Sequence, residues 1–172
     1  VEEMEGTACT EWDLVQLLER IRSTHPTYAG PSFVSIIATG ENAAVVHYEP
    51  TAEKHSPVNW NSVLLCDIGG QYSDGATTDV TRTLGFSSVT PEMKRAYTRV
   101  LQGHVQFQMT RVDDVEHPPQ FDTTIRSFLA QDGMAYAHGT GHGVGTYLCV
   151  HEQPPCIRDQ YQFKEGMVVT IE

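Results

Sequence analysis

Two β-rich runs, Asn61 to Gly69 (NSVLLCDIG) and Thr78 to Phe86 (TDVTRTLGF), flank the turn-rich segment GQYSDGAT. Such a pattern folds as an antiparallel hairpin. Each run also carries a carboxylate, Asp67 after VLLC and Asp79 before VTRT, and an acid in an apolar strand is costly to bury without a partner. Antiparallel pairing can bring the two side chains face to face. Ionised carboxylates at that range repel each other, and a divalent cation between them reverses the sign. Two plainer roles stay open: pairing of Asp79 with Arg82 or Thr81, and capping of the turn near Gly69 and Gly70 by Asp67.

The rest of the chain supplies helices and further strands. Thr10 followed by Asp13 marks a helix start, and Leu14, Leu17, Leu18 and Ile21 recur at helical spacing before THPTYAGPS ends the segment. Ser32 to Thr39 and Ala43 to Tyr48 read as a first hairpin around GEN. Thr90 as N-cap, Pro91 and Glu92 open a long helix with an apolar stripe of Met93, Ala96, Tyr97, Val100, Leu101 and Val105. A third helix is predicted from Gln120 to Gln131, and TYLCVHE and GMVVTIE read as two more strands. The loop from Val112 to Pro119 is the one candidate hinge. This order gives an α+β class, a mostly antiparallel sheet with helices packed on one face.

Composition narrows the function. The chain has 172 residues, 40% hydrophobic, and a formal charge of -11, which disfavours nucleic acid and anionic membranes as partners. No apolar run reaches the roughly 18 to 20 residues needed to cross a bilayer, and VEEMEGTACTEWD is too acidic for a signal peptide. A cytoplasmic location is therefore expected, with Cys9, Cys66, Cys149 and Cys156 reduced because no CxxC pairing occurs. The chain lacks an initiator Met and stops within a strand-like pattern, so a piece of a longer protein is expected.

The stretch AHGTGHGVGTYLCVHEQPP holds His138, His142 and His151, with glycines between them. Gly139, Gly141, Gly143 and Gly145 let the backbone approach a site closely. Glu172 is a third strand-embedded acid, although a solvated chain end is the simpler alternative. One His with several carboxylates makes a hard ligand set suited to Mn, Co or Zn in a hydrolytic site.

At these residues the chain resembles the aminopeptidase P (Xaa-Pro aminopeptidase) branch of the pita-bread metallopeptidases, which also include methionine aminopeptidase, prolidase and creatinase. The segments GENAAVVHYEP, LLCDIGGQYSDGATTDVTRTLGF, MKRAYTRVLQGH, HGTGHGVGTYLCVHEQP and EGMVVTIE carry the resemblance, in the family's order. It implies a pita-bread fold, incomplete at the C-terminus, with residues 1–172 forming part of a catalytic domain. It implies two divalent ions, Mn foremost with Zn or Co possible: Asp67 as a terminal ligand, Asp79 bridging both ions, and His142 and Glu172 on the second. His47 and His151 resemble residues that contact the scissile carbonyl and assist proton transfer, and His138 one that walls the proline pocket. His25, His55, His104 and His117 match no motif.

The implied activity is hydrolysis, by a metal-bridged hydroxide, of the bond between an N-terminal residue and a following proline. A tertiary amide of this kind lacks an N–H and has a fixed φ, so it needs a dedicated pocket. The implied partners are peptides with proline second, and the full-length protein is expected to be a homodimer. Prolidase or methionine aminopeptidase activity on the same fold, or a non-catalytic module that binds peptides or proteins, are the alternatives.

Two departures qualify the expectation. Asp67 and Asp79 are twelve residues apart where the family usually has eleven, and the turn is expected to absorb the extra residue. The family's N-terminal domain and a fifth ligand, a Glu on a later strand, are lacking here. Weak turnover and incomplete metal occupancy are expected of these residues alone.

Overall fold

The structure, a computed structural model, describes residues 6–115, 119–153, 156–157 and 162–172. It divides into two compact units, Val1–Val89 with Thr146–Val150, and Thr90–Gly145 with His151–Glu172. His117 lies outside the described residues.

The first unit begins with α1 (Glu11–Arg22), opened by a capping box. Thr10 Oγ1 accepts the Asp13 N–H at 3.1 Å, and Asp13 Oδ2 accepts the Thr10 N–H at 2.9 Å. Next come β1 (Tyr28–Pro31), β2 (Ile36–Thr39), β3 (Val63–Ile68), β4 (Gly70–Tyr72) and β5 (Val80–Gly85). β2, β3 and β5 form one antiparallel sheet, while β1 and β4 pair separately. Leu14 of α1 packs with Ile37, Leu64 and Cys66, and Ile68 lies against this core. Each fully buried aliphatic side chain here contributes about 1.5–3 kcal/mol. Because side chains alternate along a strand, the face of β3 carrying Leu64, Cys66 and Ile68 turns to this core. Asp67 therefore points to the other face.

The expected first hairpin does not form. β2 pairs with β3, and Gly40–Ala44 is a 3-10 turn instead of the approach to a strand over Ala43 to Tyr48. Gly40, at φ +57, turns the chain out of β2. The reason lies in a carboxylate that periodicity does not reveal. Glu11 is fully buried and accepts hydrogen bonds from the Thr39 and Ser56 N–H groups (both 2.8 Å), Asn42 Nδ2 (3.1 Å) and the Tyr48 hydroxyl (2.7 Å). This draws Tyr48 inward and leaves Val45 and Val46 exposed.

The second unit holds α2 (Pro91–Met109), α3 (Pro119–Ala130), β6 (Gly143–Val144) and β7 (Val168–Val169). Thr90 caps α2 as expected, accepting the Met93 N–H at 3.2 Å. The predicted stripe is displaced around the helix: Tyr97, Val100, Leu101 and Val105 are exposed. Gly103 is buried instead, and a Cβ there would come within 2.9 Å of Ile125 on α3. The helices meet over that glycine and the Phe107–Phe121 ring pair, 4.7 Å between centroids. At the end of α3, Asp132 holds both Arg95 and Arg99 of α2.

Two predicted strands shrink. GMVVTIE contributes only β7, which pairs antiparallel with β6. TYLCVHE is not a strand: Thr146–Val150 belongs to the first unit, held by Tyr147 N–H to the Gly75 carbonyl (3.1 Å) and Leu148 N–H to Gln71 Oε1 (3.0 Å). Of the expected hinge loop, Val112–Asp114 is a 3-10 turn and residues 116–118 lie outside the described residues. All four cysteines are free, as expected.

Candidate functional site

In the first unit the β3–β5 register runs without a bulge from Val63 opposite Gly85 to Ile68 opposite Val80. It continues through Gly70 with Thr78 and Gln71 with Thr77 to the Tyr72–Ala76 hydrogen bond at 2.9 Å. The turn therefore absorbs the whole of the connection. The register is the same on both sides of Gly69, so alternation puts Asp67, Thr81 and Asp79 on one face, away from the α1 core. Asp67 Oδ1 accepts the Thr81 hydroxyl at 2.7 Å. Arg82 stands on the opposite face from Asp79 by the same alternation, and its Nη1 bonds the Thr81 carbonyl at 2.7 Å. Gly69, between them, has no room for a side chain, since a Cβ would lie 2.1 Å from the Thr78 carbonyl oxygen.

His47 belongs to this unit too, but not to a strand. It is exposed in the turn after the 3-10 segment, with φ +62. A non-glycine residue in the left-handed region is uncommon, and such strain gathers at functional positions. The neighbouring Tyr48–Glu11 bond pins that turn.

The second unit brings His138, His142, His151 and Glu172 to the β6–β7 region. His142 is buried between two glycines that must be glycines. A Cβ on Gly141, at φ +152, would meet the Thr170 carbonyl oxygen at 2.2 Å, and one on Gly143 would meet the Gln153 carbonyl oxygen at 2.1 Å. The imidazole Nδ1 lies 2.8 Å from the Gly143 carbonyl oxygen, which can only accept, so Nδ1 carries the proton. Nε2 then presents its lone pair 3.1 Å from Glu172 Oε1. Two acceptors facing each other need a shared cation or an added proton. An imidazole nitrogen beside a carboxylate oxygen is a donor set that fits a divalent ion.

Thr170 braces both groups. Its hydroxyl accepts the His142 N–H at 3.0 Å and donates to Glu172 Oε1 at 2.7 Å. Burial pushes the Glu172 carboxyl up, but the Thr170 hydroxyl and, once Nε2 takes up the added proton, His142 outweigh it and leave the group below its ordinary value. The His151 ring stands edge-on to His142, 4.3 Å between centroids, placed by the Glu152 N–H bond to the Gly143 carbonyl at 2.8 Å. His138 is half-buried, its Nδ1 bonded to the Gly139 carbonyl at 2.7 Å, so its Nε2 is the atom left to face a ligand.

Sequence reasoning missed the supports of these residues: Glu11 in the first unit, and Asp122, Arg126, Tyr136, Thr140 and Thr170 in the second, while Thr81, read as a partner of Asp79, bonds Asp67. One signal was present. Asp122 and Arg126 are an i,i+4 pair beside the buried stripe of Phe121, Ile125 and Leu129, an unusual place for an ion pair to serve only solubility.

Comparison with known proteins agrees with this chemistry. The model of a family described as metallopeptidase family M24 matches residues 2–172. A protein of Coprinopsis cinerea named Probable Xaa-Pro aminopeptidase P is 42% identical over 98% of the chain and 28% of its own length. A crystal structure of X-prolyl aminopeptidase from Caenorhabditis elegans, described as a cytosolic enzyme with a di-nuclear active site, superposes with a TM-score of 0.82 at 35% identity. The match covers 99% of this chain and 28% of that one. Prolidase from Pyrococcus horikoshii superposes with a TM-score of 0.79 at 25% identity, over 95% of this chain and 46% of that one. The chain thus spans a little over a quarter of the length of the Coprinopsis relative.

Proposed function

The chain belongs to metallopeptidase family M24 and carries part of its pita-bread fold, and from that membership we propose that it supplies part of the catalytic domain of a metal-dependent Xaa-Pro aminopeptidase. The observation that carries the reading is the His142 Nε2 and Glu172 Oε1 pair, 3.1 Å apart in a glycine cradle. Asp67 and Asp79 of the first unit and His142 and Glu172 of the second would supply ligands for two divalent ions, Mn the foremost candidate. Bound there, the ions supply Lewis acidity, which acidifies water and stabilises negative charge on the scissile carbonyl.

The chain's own residues do the rest. His47, exposed on its left-handed turn, is assigned to the scissile carbonyl. The departing proline nitrogen has no hydrogen of its own and must gain a proton as the C–N bond breaks; His151 is the group assigned to that transfer. His138, with Nε2 outward, is assigned to the wall of the proline pocket. Peptides with proline second are the proposed substrates. A cytosolic location is proposed because the Caenorhabditis elegans enzyme is described as cytosolic, and a homodimer is the proposed assembly of the full-length protein.

The test is hydrolysis by the metal-loaded full-length protein of three peptides: an Xaa-Pro-Yaa tripeptide, an Xaa-Pro dipeptide and a Met-Ala peptide. Preference for the tripeptide is expected. Cleavage of the Met-Ala peptide alone, or of the dipeptide alone, would overturn the assignment.

A further inference from the structure

Arg126 of α3 has a protein partner for its Nε, its Nη1 and its Nη2. Its Nε lies 2.9 Å from both Asp122 carboxylate oxygens, its Nη1 donates to the Tyr136 carbonyl and its Nη2 to the His138 carbonyl, each at 2.8 Å. The guanidinium also lies over the Tyr136 ring, 4.1 Å from its centroid, and that ring stacks on His138 at 4.5 Å and 27°. The result is a column: guanidinium, phenol, imidazole. The fully buried Thr140 closes the loop. Its hydroxyl donates to Asp122 Oδ1 and so accepts from the Tyr136 hydroxyl at 2.7 Å, while its carbonyl accepts the Glu172 N–H at 2.7 Å. A planar fork that grips two carbonyls two residues apart while its face carries a ring is something only Arg can do; Lys keeps the charge and loses the geometry.

We propose that Arg126, oriented by Asp122, is a positioning residue that sets the His138 ring through the Tyr136 stack and thereby governs binding of the proline side of the substrate. The proposal rests on the aminopeptidase reading above. A group that acts through a pocket wall changes substrate binding more than the chemical step.

The test uses the metal-loaded full-length protein carrying Arg126→Lys, His138→Ala or both. Arg126→Lys is expected to raise KM for an Xaa-Pro-Yaa peptide about tenfold with kcat within about threefold, and to have no further effect once His138 is Ala. Additive losses in the double variant, or an unchanged KM, overturn the positioning role and leave the peptidase reading standing. If Arg126→Lys fails to fold by circular dichroism, Tyr136→Leu takes its place: it removes the stacked ring, and the same KM rise is expected. An unchanged KM there also overturns the proposal. Absence of turnover by the wild type would sink the peptidase reading itself. The Cε1 resonance of His138, in protein with labelled histidine, then decides separately: a shift on Arg126→Lys supports the column, and no shift overturns it.

Discussion

His142 occupies a position that admits almost no variation around it. The carbonyl of Gly143 selects the proton on Nδ1, Thr170 fixes the main chain, and the glycines on either side let residues 152–153 and 170 close in. Gly143 is the sharper probe of the two because its backbone is not in the left-handed region, so an added methyl acts through space alone. Gly143→Ala is expected to push the backbone at Gln153 away and lower Mn affinity about 10- to 100-fold, the range for losing a ligand's supporting contacts. Calorimetric titration of the full-length protein checks this. Affinity equal to wild type would mean that the cradle does not orient the ligand. His47 shows the same dependence on its surroundings from the other direction: its identity stands out in VVHYEP, but its left-handed turn follows from where Tyr48 is held.

At the scale of elements, the β3–β5 hairpin was the most legible part of the chain. Period-two alternation and a Gly-containing turn suffice to predict the pairing, and the same register on both sides of Gly69 puts both aspartates on one face. Helix starts were equally legible because capping is a local matter between residues three apart. The false strand over Ala43 to Tyr48 came from treating β-rich composition as sufficient. Its backbone is recruited instead by Glu11, a residue more than thirty positions earlier. Glu11→Ala leaves two buried and two half-buried donors without a common acceptor and is expected to lower unfolding free energy by about 3 kcal/mol. Urea denaturation followed by circular dichroism measures it, and a loss under about 1 kcal/mol would show that water replaces the carboxylate at little cost.

For the molecule as a whole, two phenols tie stability to alkaline pH. Burial and the Glu19 carboxylate push Tyr28 up to about 12, and burial with Glu11 does the same for Tyr48. Both folded values lie above the ordinary 10, so the native state keeps protons that the unfolded chain sheds. Their stabilising contribution is complete below about pH 10 and disappears as pH rises toward 12. The urea midpoint should fall over that interval, and Tyr48→Phe should flatten the fall; a midpoint independent of pH from 9 to 12 would contradict it. Among the described residues no helix is long and apolar enough to cross a membrane. The sequence by itself determined the antiparallel hairpin and the two capped helices, because alternation and capping are local and periodic. Tertiary structure alone decided the turn at His47, the cradle around His142 and the Arg126–Tyr136–His138 column. Each depends on hydrogen bonds or close approaches between segments distant in the chain, and such contacts leave no period in the sequence from which they could be read.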